Sequence, residues 1–480
     1  MIDLKDKSII ELKQLLSSKQ ATVSQIVDYY FEQIKKHQHK NAVIEVFEDA
    51  KEQAKLWDEK YSQQTHLPVL AGIPILIKDN IMYEGKISSC SSEFLKNYIA
   101  QYSSTAVKKL LDAGAIILGR VNMDEFAMGG SCEKSCYGPT LNALDDERVA
   151  GGSSGGSAAA VKLDLCAAAL GSDTGGSVRQ PASFNGVVGL KGSYGRISRY
   201  GLIAFASSLD QIGPITKTVE DSALLMQVLA GYDTHDTTSA KAPVEEYFEK
   251  LTPSVKGKTI GLIKEVEQLY AQTPYVDQYT NFKKWLVEQG AKVQEFSIPD
   301  YKLSLPVYYI IAPAEATSNL GRFDGVKYTT RSQAATNIGE VYDFSRTEGF
   351  GKEVKRRIML GNFVLSSGYY DAYYVKAKRI QQSLTKKVQK VFEQCDAIVM
   401  PTTFGEAFKR NSKQDPVAMY AEDMFTIFAN LTGLPSISVP YGKGESGLPL
   451  GMQIMGKLYG EQTVLDIASC VQTSFEGGKR

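Results

Sequence analysis

A helix that ends at a glycine and is followed at once by an apolar strand occurs twice in this chain, which limits the folds available to it. The first copy reads STAVKKLLDAGAIILGR around Gly114, and the second reads FKKWLVEQGAKVQEFSI around Gly290. Glycine directly after the last periodic residue is a helix stop signal. Other segments have strand character, with helical stretches such as YVKAKRIQQSLTKKVQKVFEQC between them: TIGLIKE, DAIVMPT, PSISVP and LPLGMQIM. The alternation predicts an α/β fold with a largely internal sheet.

The N-terminal part of the chain has a different pattern. Three segments in succession place apolar residues at helical spacing: SIIELKQLL, ATVSQIVDYYFEQIKKHQ and NAVIEVFEDAKEQAKLWDEKY. We find no low-complexity linker, charge block or fixed-period repeat that would divide the rest. We therefore predict an N-terminal helical segment over residues 1–65, packed on a single large domain over residues 66–480, although the length of 480 residues alone would allow two domains.

The overall charge and the cysteines exclude several classes of function. Lys plus Arg and Asp plus Glu both number 54, so no net field attracts the chain to nucleic acid or anionic membranes. The closest cysteines, Cys132 and Cys136, have no histidine or cysteine companions for zinc, and we expect no metal site. The amphipathic N-terminus and the lack of an apolar run of about 18 residues predict a cytoplasmic protein without a signal peptide or membrane span.

The stretch from Gly151 to Ser177 is the richest in glycine and serine, and a nucleotide site is one interpretation of it. Glycine turns that open helices bind phosphate groups. Neither turn ends in the Gly-Lys-Ser/Thr of a phosphate-binding loop. The nearest match elsewhere, GMQIMGKL, has Leu458 in place of the hydroxyl, and its apolar interior resembles a buried strand. Nucleotide binding by this chain is therefore disfavoured.

A second interpretation makes Ser154 a nucleophile, because residues 152–156 match G-x-S-x-G. That motif needs a strand before the serine and a histidine after it. The preceding DDERVA is a poor strand, and the one later histidine, His235, lies in a turn-like segment. The other histidines, His37, His39 and His66, lie in polar surroundings, so a Ser-His-Asp triad is improbable.

If a serine is activated, its base must then be another residue type, and lysine serves once burial or cationic neighbours lower its pKa. AGIPILIKDNI supplies a candidate, since Lys78 ends an apolar run that would draw it into the interior. A lysine at a strand end that extends its amine to solvent is the alternative, and this stretch alone would favour it. Two serine-rich turns in the same chain favour the catalytic interpretation.

Three motifs together resemble the amidase signature family: Lys78 in GIPILIKDN, Ser153 in GGSSGGSAAAV and Ser177 in GSDTGGSVRQP. Further motifs are similar to that family and extend the resemblance over most of the chain: NMDEFAMGGS, KGSYGRISRYGLIAFASSLDQIGPITKTVEDSALL, EATSNLGRFDGVKY, RRIMLGNFVLSSGYYDAYYVKA and GMQIMG. The resemblance implies the amidase signature fold, in which helices surround a twisted mixed sheet. It also implies a Ser-cisSer-Lys catalytic set.

Carried to this sequence, the resemblance makes Ser177 the nucleophile that attacks a carboxamide. Ser153, preceded by a cis peptide bond, would pass its proton to neutral Lys78. The resemblance further implies an oxyanion hole formed by backbone N–H groups of the glycine turn, namely those of Thr174, Gly175, Gly176 and Ser177. Glycine suits such a turn because a Cβ would block the approach of the substrate.

The residues that choose the substrate are a separate expectation. Free glutamine is a zwitterion, so a selective pocket needs a cation for its carboxylate and an anion for its ammonium group. Arg357 and Asp423 match the glutamine-binding positions of the family, and Tyr308 matches a further contact. Arg356 is adjacent to Arg357 in the sequence, so the match leaves open which of the two arginines binds the carboxylate.

Within the family, the motifs resemble the glutaminase subunits of tRNA-dependent amidotransferases. That resemblance implies a subunit that hydrolyses glutamine and supplies ammonia to convert Glu-tRNA(Gln) or Asp-tRNA(Asn) to the amidated form. The partners would be a B subunit, which binds ATP, Mg²⁺ and tRNA, and a small bridging C subunit, in a heterotrimer. The alternatives are a free-standing small-amide hydrolase of the same family and a non-catalytic scaffold, which the presence of all three catalytic residues disfavours.

Overall fold

One mixed sheet forms the centre of the protein. The computed structural model describes residues 2–63, 66–413 and 415–476. Within them the sheet has eleven strands. They are β1 (Val43–Val46), β2 (Pro74–Lys78), β3 (Ile116–Val121), β4 (Ala168–Asp173), β5 (Val188–Lys191), β6 (Gln211–Thr216), β7 (Thr259–Ile263), β8 (Lys292–Phe296), β9 (Ala397–Pro401), β10 (Ser436–Lys443) and β11 (Pro449–Gly456).

Helices connect and cover the strands. They are α1 (Ile9–Ser17), α2 (Val23–Lys36), α3 (Ala50–Gln63), α4 (Thr105–Asp112), α5 (Gly155–Lys162), α6 (Arg179–Asn185), α7 (Val219–Leu229), α8 (Lys264–Tyr270), α9 (Val276–Glu288), α10 (Ser304–Asn319), α11 (Ile338–Gly349), α12 (Lys352–Leu365), α13 (Lys376–Val391), α14 (Pro416–Ala421), α15 (Ile427–Leu431) and α16 (Glu461–Glu476). Short 3₁₀ turns span Gln38–Lys40, Glu93–Leu95, Glu125–Ala127, Tyr301–Leu303 and Leu320–Arg322, and a π-helical turn spans Asp371–Val375. Across the described ranges, no helix is both long enough and apolar enough to span a bilayer.

The strand order is β1-β3-β2-β4-β6-β5-β10-β11-β9-β7-β8. Strands β3, β2 and β4 run parallel at one side of the sheet, and β9, β7 and β8 run parallel at the other. Antiparallel pairs join these two groups through the centre. The predicted α/β class and the mixed sheet surrounded by helices are confirmed. Because β2 and β4 are parallel neighbours, their carboxyl ends meet at the same edge of the sheet.

The central strands are buried along their whole length, including β2, β3, β4, β5, β6, β9 and β11. Successive side chains of a strand point to opposite faces, so helices must cover both faces of the sheet. The burial of β11 confirms that GMQIMGKL contains a buried strand. At the end of β2 the same burial takes Lys78 fully out of solvent, so the amine does not extend to the surface.

Both helix–glycine–strand segments have the predicted structure. Gly114 separates α4 from β3 with a φ of +95°, and Gly290 separates α9 from β8 with a φ of +84°. These φ values lie in the left-handed region, which glycine enters without the steric cost that a Cβ adds. At Gly114 a Cβ would also come within 2.8 Å of the Ala71 Cα atom. Glycine therefore allows the chain to reverse into the sheet directly.

The N-terminal segment is only partly as predicted. The first two helices are confirmed as α1 and α2, but the third predicted helix is wrong over its first half. Residues Val43–Val46 form β1, which pairs antiparallel with β3, and the helix begins only at Ala50. The β-branched side chains of this stretch favour a strand. The predicted end of the segment at residue 65 lies outside the described residues, and the division at that point stays a prediction.

Candidate active site

Lys78 lies at the centre of a cluster of hydroxyl groups. Its Nζ atom is 2.7 Å from Ser153 Oγ, 2.8 Å from Ser154 Oγ and 2.9 Å from Ser172 Oγ. The lysine ends β2 and Ser172 lies near the end of the neighbouring parallel strand β4, whereas the other two serines precede α5. The amine is fully buried, as are all three hydroxyl-bearing side chains apart from 2% exposure at Ser172.

Burial controls the charge of this lysine. Loss of hydration lowers the pKa of Lys78 to about 7, although Cys132, Asp124 and Asp173 act in the opposite direction. A hydroxyl group stabilises the ammonium form less than a carboxylate would. Near neutral pH a large fraction of Lys78 is therefore an uncharged amine, which can accept a proton.

The loop that carries Ser153 is fixed on both sides. The peptide bond between Gly152 and Ser153 is cis, as the resemblance implies. The Gly152 N–H donates to Gln180 Oε1 at 2.9 Å, and the Ser153 carbonyl accepts from the Asp124 N–H at 3.2 Å. A Cβ at Gly152 would lie 2.1 Å from Asp124 Oδ2, so only glycine fits at this position.

Ser154 joins this loop to the second serine turn. Its N–H donates to the Ser177 carbonyl at 3.1 Å, which holds the two turns side by side. Ser177 is 8% exposed, while Ser153 and Ser154 are fully buried, so a ligand from solvent reaches Ser177 first. The Ser154 hydroxyl donates to the Ser172 carbonyl at 3.1 Å and accepts from Lys78, so it is engaged inside the protein.

The glycine turn before Ser177 is built around the buried carboxylate of Asp173. Its oxygens accept the N–H groups of Gly176 at 2.9 Å and Val178 at 3.1 Å. They also accept from Arg179, at 3.0 Å from Nε and 2.9 Å from Nη2. Burial alone would raise the pKa of Asp173, but the Arg179 guanidinium holds it well below its usual range. The turn is thus organised by a carboxylate that stays charged.

Arg179 and Thr426 connect the turn to the C-terminal part of the chain. Arg179 donates to the Thr426 carbonyl at 2.9 Å and to Asn430 Oδ1 at 2.7 Å. In return, the Thr426 hydroxyl donates to the Gly175 carbonyl at 2.6 Å. Gly176 has a φ of +124°, and a Cβ there would lie 2.2 Å from Thr426 Oγ1. The two glycines of the turn are therefore packed directly against the segment before α15.

The expected substrate residues lie next to this turn. A Cβ at Gly175 would come within 2.7 Å of the Tyr308 hydroxyl oxygen, so Tyr308 borders the turn closely. Arg357 is only 4% exposed, and its guanidinium lies 5.4 Å from the ring centre of Tyr309 and 5.2 Å from that of Tyr420. Aromatic faces stabilise a buried cation in this geometry.

Asp423 provides the opposite charge. Its Oδ2 atom accepts from the Tyr309 hydroxyl at 2.6 Å. Burial raises the pKa of Asp423 to about 7, while the Tyr309 hydrogen bond and the charge of Arg357 oppose that rise. The same tyrosine thus contacts the carboxylate with its hydroxyl and the guanidinium with its ring. A site with one fixed cation and one carboxylate suits a zwitterionic amino acid.

The structure distinguishes Arg356 from Arg357. Arg357 Nε donates to Glu353 Oε1 at 3.0 Å, and Arg356 pairs with the other oxygen of the same carboxylate. The Arg356 side chain is 38% exposed, whereas that of Arg357 is buried among aromatic rings. Arg357 is therefore the arginine that lies beside Asp423.

Sequence reasoning missed the residues that support this pair, namely Glu353, Tyr309 and Tyr420. The Tyr420 hydroxyl donates to Glu353 Oε1 at 2.7 Å. The Glu353 carboxylate therefore holds both Arg357 and Tyr420, whose ring lies against the Arg357 guanidinium. Glu353 precedes Arg357 by four residues on a helix, which is the spacing at which such side chains meet, and that signal was available in the sequence.

A cavity of about 610 Å³ whose lining includes several charged side chains lies beside the site. Its walls include Glu353, Arg356 and Met419, together with Glu125 and Lys134. It adjoins the surroundings of Asp423, since a Cβ at Gly130 would lie 3.8 Å from Asp423 Oδ1 and 3.9 Å from Met419 Sδ. Of the two arginines, Arg356 lines this cavity.

The remaining candidates lie elsewhere. The His235 side chain is 61% exposed, and its ring contacts Asp233 and Tyr200. Across the described ranges, no three His, Cys, Asp or Glu side chains converge as a metal site would require.

Comparison with known proteins gives consistent results. The family model described as Amidase matches residues 25–465. The A subunit of glutamyl-tRNA(Gln) amidotransferase from Sulfurihydrogenibium sp. is 47% identical to the chain over 100% of its length and 99% of the relative's length. The protein of the same name from Persephonella marina is also 47% identical, over 97% of both chains.

Solved structures share the fold. The crystal structure of the A subunit of glutamyl-tRNA(Gln) amidotransferase from Thermotoga maritima has a TM-score of 0.81 and 40% identity, and the match covers 98% of this chain and 96% of that one. Native peptide amidase from Stenotrophomonas maltophilia has a TM-score of 0.84 at 26% identity, over 99% and 98% of the two chains. The fold is therefore shared by a tRNA amidotransferase subunit and a peptide amidase.

Replacing Arg179 by Met should lower the free energy of unfolding by about 3–5 kcal/mol near neutral pH, because the Asp173 carboxylate would stay buried without its cation. The loss should shrink as the pH falls, since protonation of Asp173 removes the buried charge. Urea unfolding at several pH values measures both effects. Arg356→Met, at a partly exposed ion pair, should cost less than about 1 kcal/mol. Equal losses for the two variants would contradict this role of Arg179.

Proposed function

The chain belongs to the amidase family, and from that premise we propose that it is the glutaminase subunit of a tRNA-dependent amidotransferase. It hydrolyses the side-chain amide of glutamine and supplies ammonia for the conversion of Glu-tRNA(Gln) or Asp-tRNA(Asn) to the amidated form. One observation carries the proposal. The buried Lys78 amine lies 2.7 Å from Ser153 Oγ, and the buried Arg357 and half-buried Asp423 both contact Tyr309, which follows the tyrosine that borders the glycine turn. The names of the Sulfurihydrogenibium and Persephonella relatives support it.

In the first half of the reaction, Ser177 Oγ attacks the amide carbon. Its proton passes to Ser153 Oγ as the proton of Ser153 passes to the uncharged Lys78 amine. The 2.7 Å contact between Lys78 and Ser153 supports this relay. The hydrogen bond between the Ser154 N–H and the Ser177 carbonyl keeps the nucleophile turn next to the relay loop. A base that is buried and nearly neutral at working pH is matched to such a transfer.

The second half reverses the proton path. The Lys78 ammonium returns its proton through Ser153 to the amide nitrogen, the carbon–nitrogen bond breaks, and ammonia leaves. Ser177 is left as a glutamyl ester. Water then attacks the ester with the same base, which releases glutamate and restores the three groups to their starting state.

The negative charge on the carbonyl oxygen needs donors that are already in place. We propose that backbone N–H groups of the glycine turn supply them. Because the Gly176 N–H is engaged by Asp173 Oδ1 at 2.9 Å, the oxyanion would draw mainly on Thr174, Gly175 and Ser177. The role expected for Gly176 thus shifts towards shaping the turn.

Substrate selection follows from charge. The guanidinium of Arg357 would bind the α-carboxylate of glutamine, and the Asp423 carboxylate would bind the α-ammonium group. Tyr308, which borders Gly175, would contact the substrate between these charges and the reacting carbon. Because a peptide amidase at 26% identity shares the fold, the fold alone does not determine which amide is hydrolysed.

The remaining steps belong to partners. Activation of the tRNA-bound carboxylate needs ATP and Mg²⁺, which we assign to a B subunit that also binds the tRNA, with a small C subunit bridging the two chains. The zero net charge of this chain fits a division of labour in which another subunit holds the nucleic acid. We place the complex in the cytoplasm, where aminoacyl-tRNA is used.

The activity should depend on an uncharged Lys78. Since burial lowers the pKa of Lys78 to about 7 and only the neutral amine accepts a proton, kcat/KM for glutamine should rise with pH through about 7 and level off above it. Lys78→Ala should lose about a hundredfold or more of the rate. Burial also lowers the pKa of Lys191 to about 7, so this lysine provides a matched control. In Lys191→Met, kcat/KM should still rise with pH through about 7. If kcat/KM of Lys78→Arg rose with pH through about 7 as it does in the unsubstituted chain, the proposed relay would be refuted.

Arg357→Ala should raise the KM for glutamine on the order of a hundredfold, because the substrate carboxylate loses a charge-assisted partner. A simple amide without a carboxylate should be hydrolysed with little change. Steady-state ammonia release from the two substrates gives the comparison, with Ser177→Ala as the inactive reference. Arg356→Ala should resemble the unmodified chain. Equal losses on both substrates would show that Arg357 does not bind the carboxylate.

Ammonia release should depend on the partners. The chain alone should show weak glutaminase activity that rises when the other subunits and the aminoacyl-tRNA are added, because unregulated release would waste glutamine. Ammonia production by the pure chain, with and without the other subunits, measures this. Full turnover by the chain alone, without a complex on a sizing column, would instead identify a free-standing amidase.

A further inference from the structure

Glu353 is a buried carboxylate that no step of the proposed reaction uses. Its side chain is 5% exposed, and its two oxygens contact different groups. Oε1 accepts from Arg357 Nε at 3.0 Å and from the Tyr420 hydroxyl at 2.7 Å. Oε2 pairs with the partly exposed Arg356 and lies 3.6 Å from Lys134 Nζ. One oxygen of the carboxylate is thus committed to the interior of the site.

Glu353 keeps its negative charge in this position. Burial alone would raise the pKa of Glu353, but the charges of Arg357 and Lys134 lower it to about 2. An ionised carboxylate only accepts hydrogen bonds, and each of its oxygens has two lone pairs. Oε1 can therefore hold the Arg357 donor and the Tyr420 donor at the same time.

The contact with Glu353 determines which edge of Arg357 is left for a ligand. A guanidinium has one N–H on Nε and two on each Nη, and it binds a carboxylate best through two parallel N–H groups. Glu353 occupies the Nε–H, and neither Nη group donates to a residue that the structure describes. A ligand carboxylate would therefore meet the two Nη groups of Arg357 side by side.

Tyr420 extends the influence of Glu353 to the opposite charge. The Tyr420 carbonyl accepts from the Asp423 N–H at 3.2 Å. Its ring stacks on that of Tyr309, with ring centres 4.0 Å apart and an angle of 19° between the planes. The Tyr309 hydroxyl in turn donates to Asp423 Oδ2 at 2.6 Å. A displacement of Tyr420 would therefore disturb Asp423 through its backbone and through its side chain.

We propose that Glu353 is a positioning residue for both charged groups that select the substrate. It holds Arg357 directly and Asp423 through Tyr420. The inference rests on the proposed function, in which Arg357 binds the carboxylate of glutamine and Asp423 binds its ammonium group. Because Glu353 lies on α12 and Tyr420 on α14, the carboxylate joins the helix of the cation to the segment of the anion. Loss of Glu353 would weaken both contacts with the substrate and leave the contacts of Lys78 in place.

Three amides that differ only in charge test the inference. Glutaramate is glutamine without the ammonium group, γ-aminobutyramide is glutamine without the α-carboxylate, and butyramide lacks both. In the full chain with the other subunits added, Glu353→Ala should lower kcat/KM for the two charged amides by about tenfold and for butyramide much less. Ammonia release measures all three. A loss confined to glutaramate would show that Glu353 acts on Arg357 alone, and equal losses on all three would show general support of the fold. Either result would overturn the inference.

Glu353→Gln separates position from charge. Its amide oxygen still accepts from Arg357 Nε and from the Tyr420 hydroxyl, so kcat/KM for both charged amides should recover most of the loss seen in Glu353→Ala. If Glu353→Gln were as impaired as Glu353→Ala, the charge alone would matter and the inference would be wrong.

Tyr420→Phe is a milder variant that removes one hydroxyl and keeps the stacked ring. It should lower kcat/KM for γ-aminobutyramide more than for glutaramate, because the direct contact between Glu353 and Arg357 remains. In a Glu353→Ala background, Tyr420→Phe should cause no further loss on γ-aminobutyramide, since both changes break the same hydrogen bond. Additive losses would contradict the connection from Glu353 to Asp423 through Tyr420.

Glu315 provides a matched control for the loss of a carboxylate. It is half-buried on α10 and accepts from the Ser208 N–H at 2.8 Å. Glu315→Ala should leave the relative rates on the three amides as they are in the unsubstituted chain, and the same change of preference as in Glu353→Ala would overturn the inference. An unsubstituted chain that hydrolyses butyramide as readily as glutamine would refute the proposed function and the inference together. A chain that prefers glutamine, and keeps that preference in Glu353→Ala, would refute the inference alone.

Discussion

The buried ion pair between Asp173 and Arg179 is the interaction on which the geometry of the site depends. The carboxylate holds the N–H groups of Gly176 and Val178, so it sets the shape of the turn that presents Ser177. The Arg179 guanidinium also donates to the carbonyl of Thr426, the residue before α15. One charged pair thus joins strand β4, helix α6 and the start of α15. Since a buried charge without its partner is strongly destabilising, the turn has little freedom to relax into another shape.

The same burial has opposite consequences for different cations in this protein. Lys78 is surrounded by hydroxyl groups, which compensate poorly for lost hydration, and its pKa falls to about 7. Arg357 is just as buried, but Glu353 and aromatic rings surround it, and its pKa stays above its usual value. Neighbouring residues of β4 contact two different cations, since Ser172 contacts Lys78 and Asp173 pairs with Arg179. A proton acceptor and a fixed charge are therefore produced within one fold by the choice of neighbours.

The sequence predicted those parts of the fold and of the site that depend on local patterns of residues. Helix–glycine–strand segments predicted α4–β3 and α9–β8. The apolar run before Lys78 alone favoured an amine that extends to solvent, and the two serine-rich turns made a buried, catalytic lysine the favoured interpretation. Strand β4 was missed, because its residues AALGSD are small and lack the β-branched side chains that mark strands. Tyr309 was missed for another reason: its importance depends on a partner far away in the chain, Asp423. No local pattern shows which distant groups will meet.

The groups that move protons and the groups that choose the amide come from separate stretches of the chain. The first set lies within residues 78–179, on β2, β4 and their turns, and the second lies within residues 308–423, on α10, α12 and the segment before α15. They adjoin at Gly175, which Tyr308 borders closely. A gene with this layout can drift in its second half and acquire a new preference while it inherits the reaction unchanged. Substitutions within residues 308–423 can therefore change the preferred amide without replacing the groups that transfer protons.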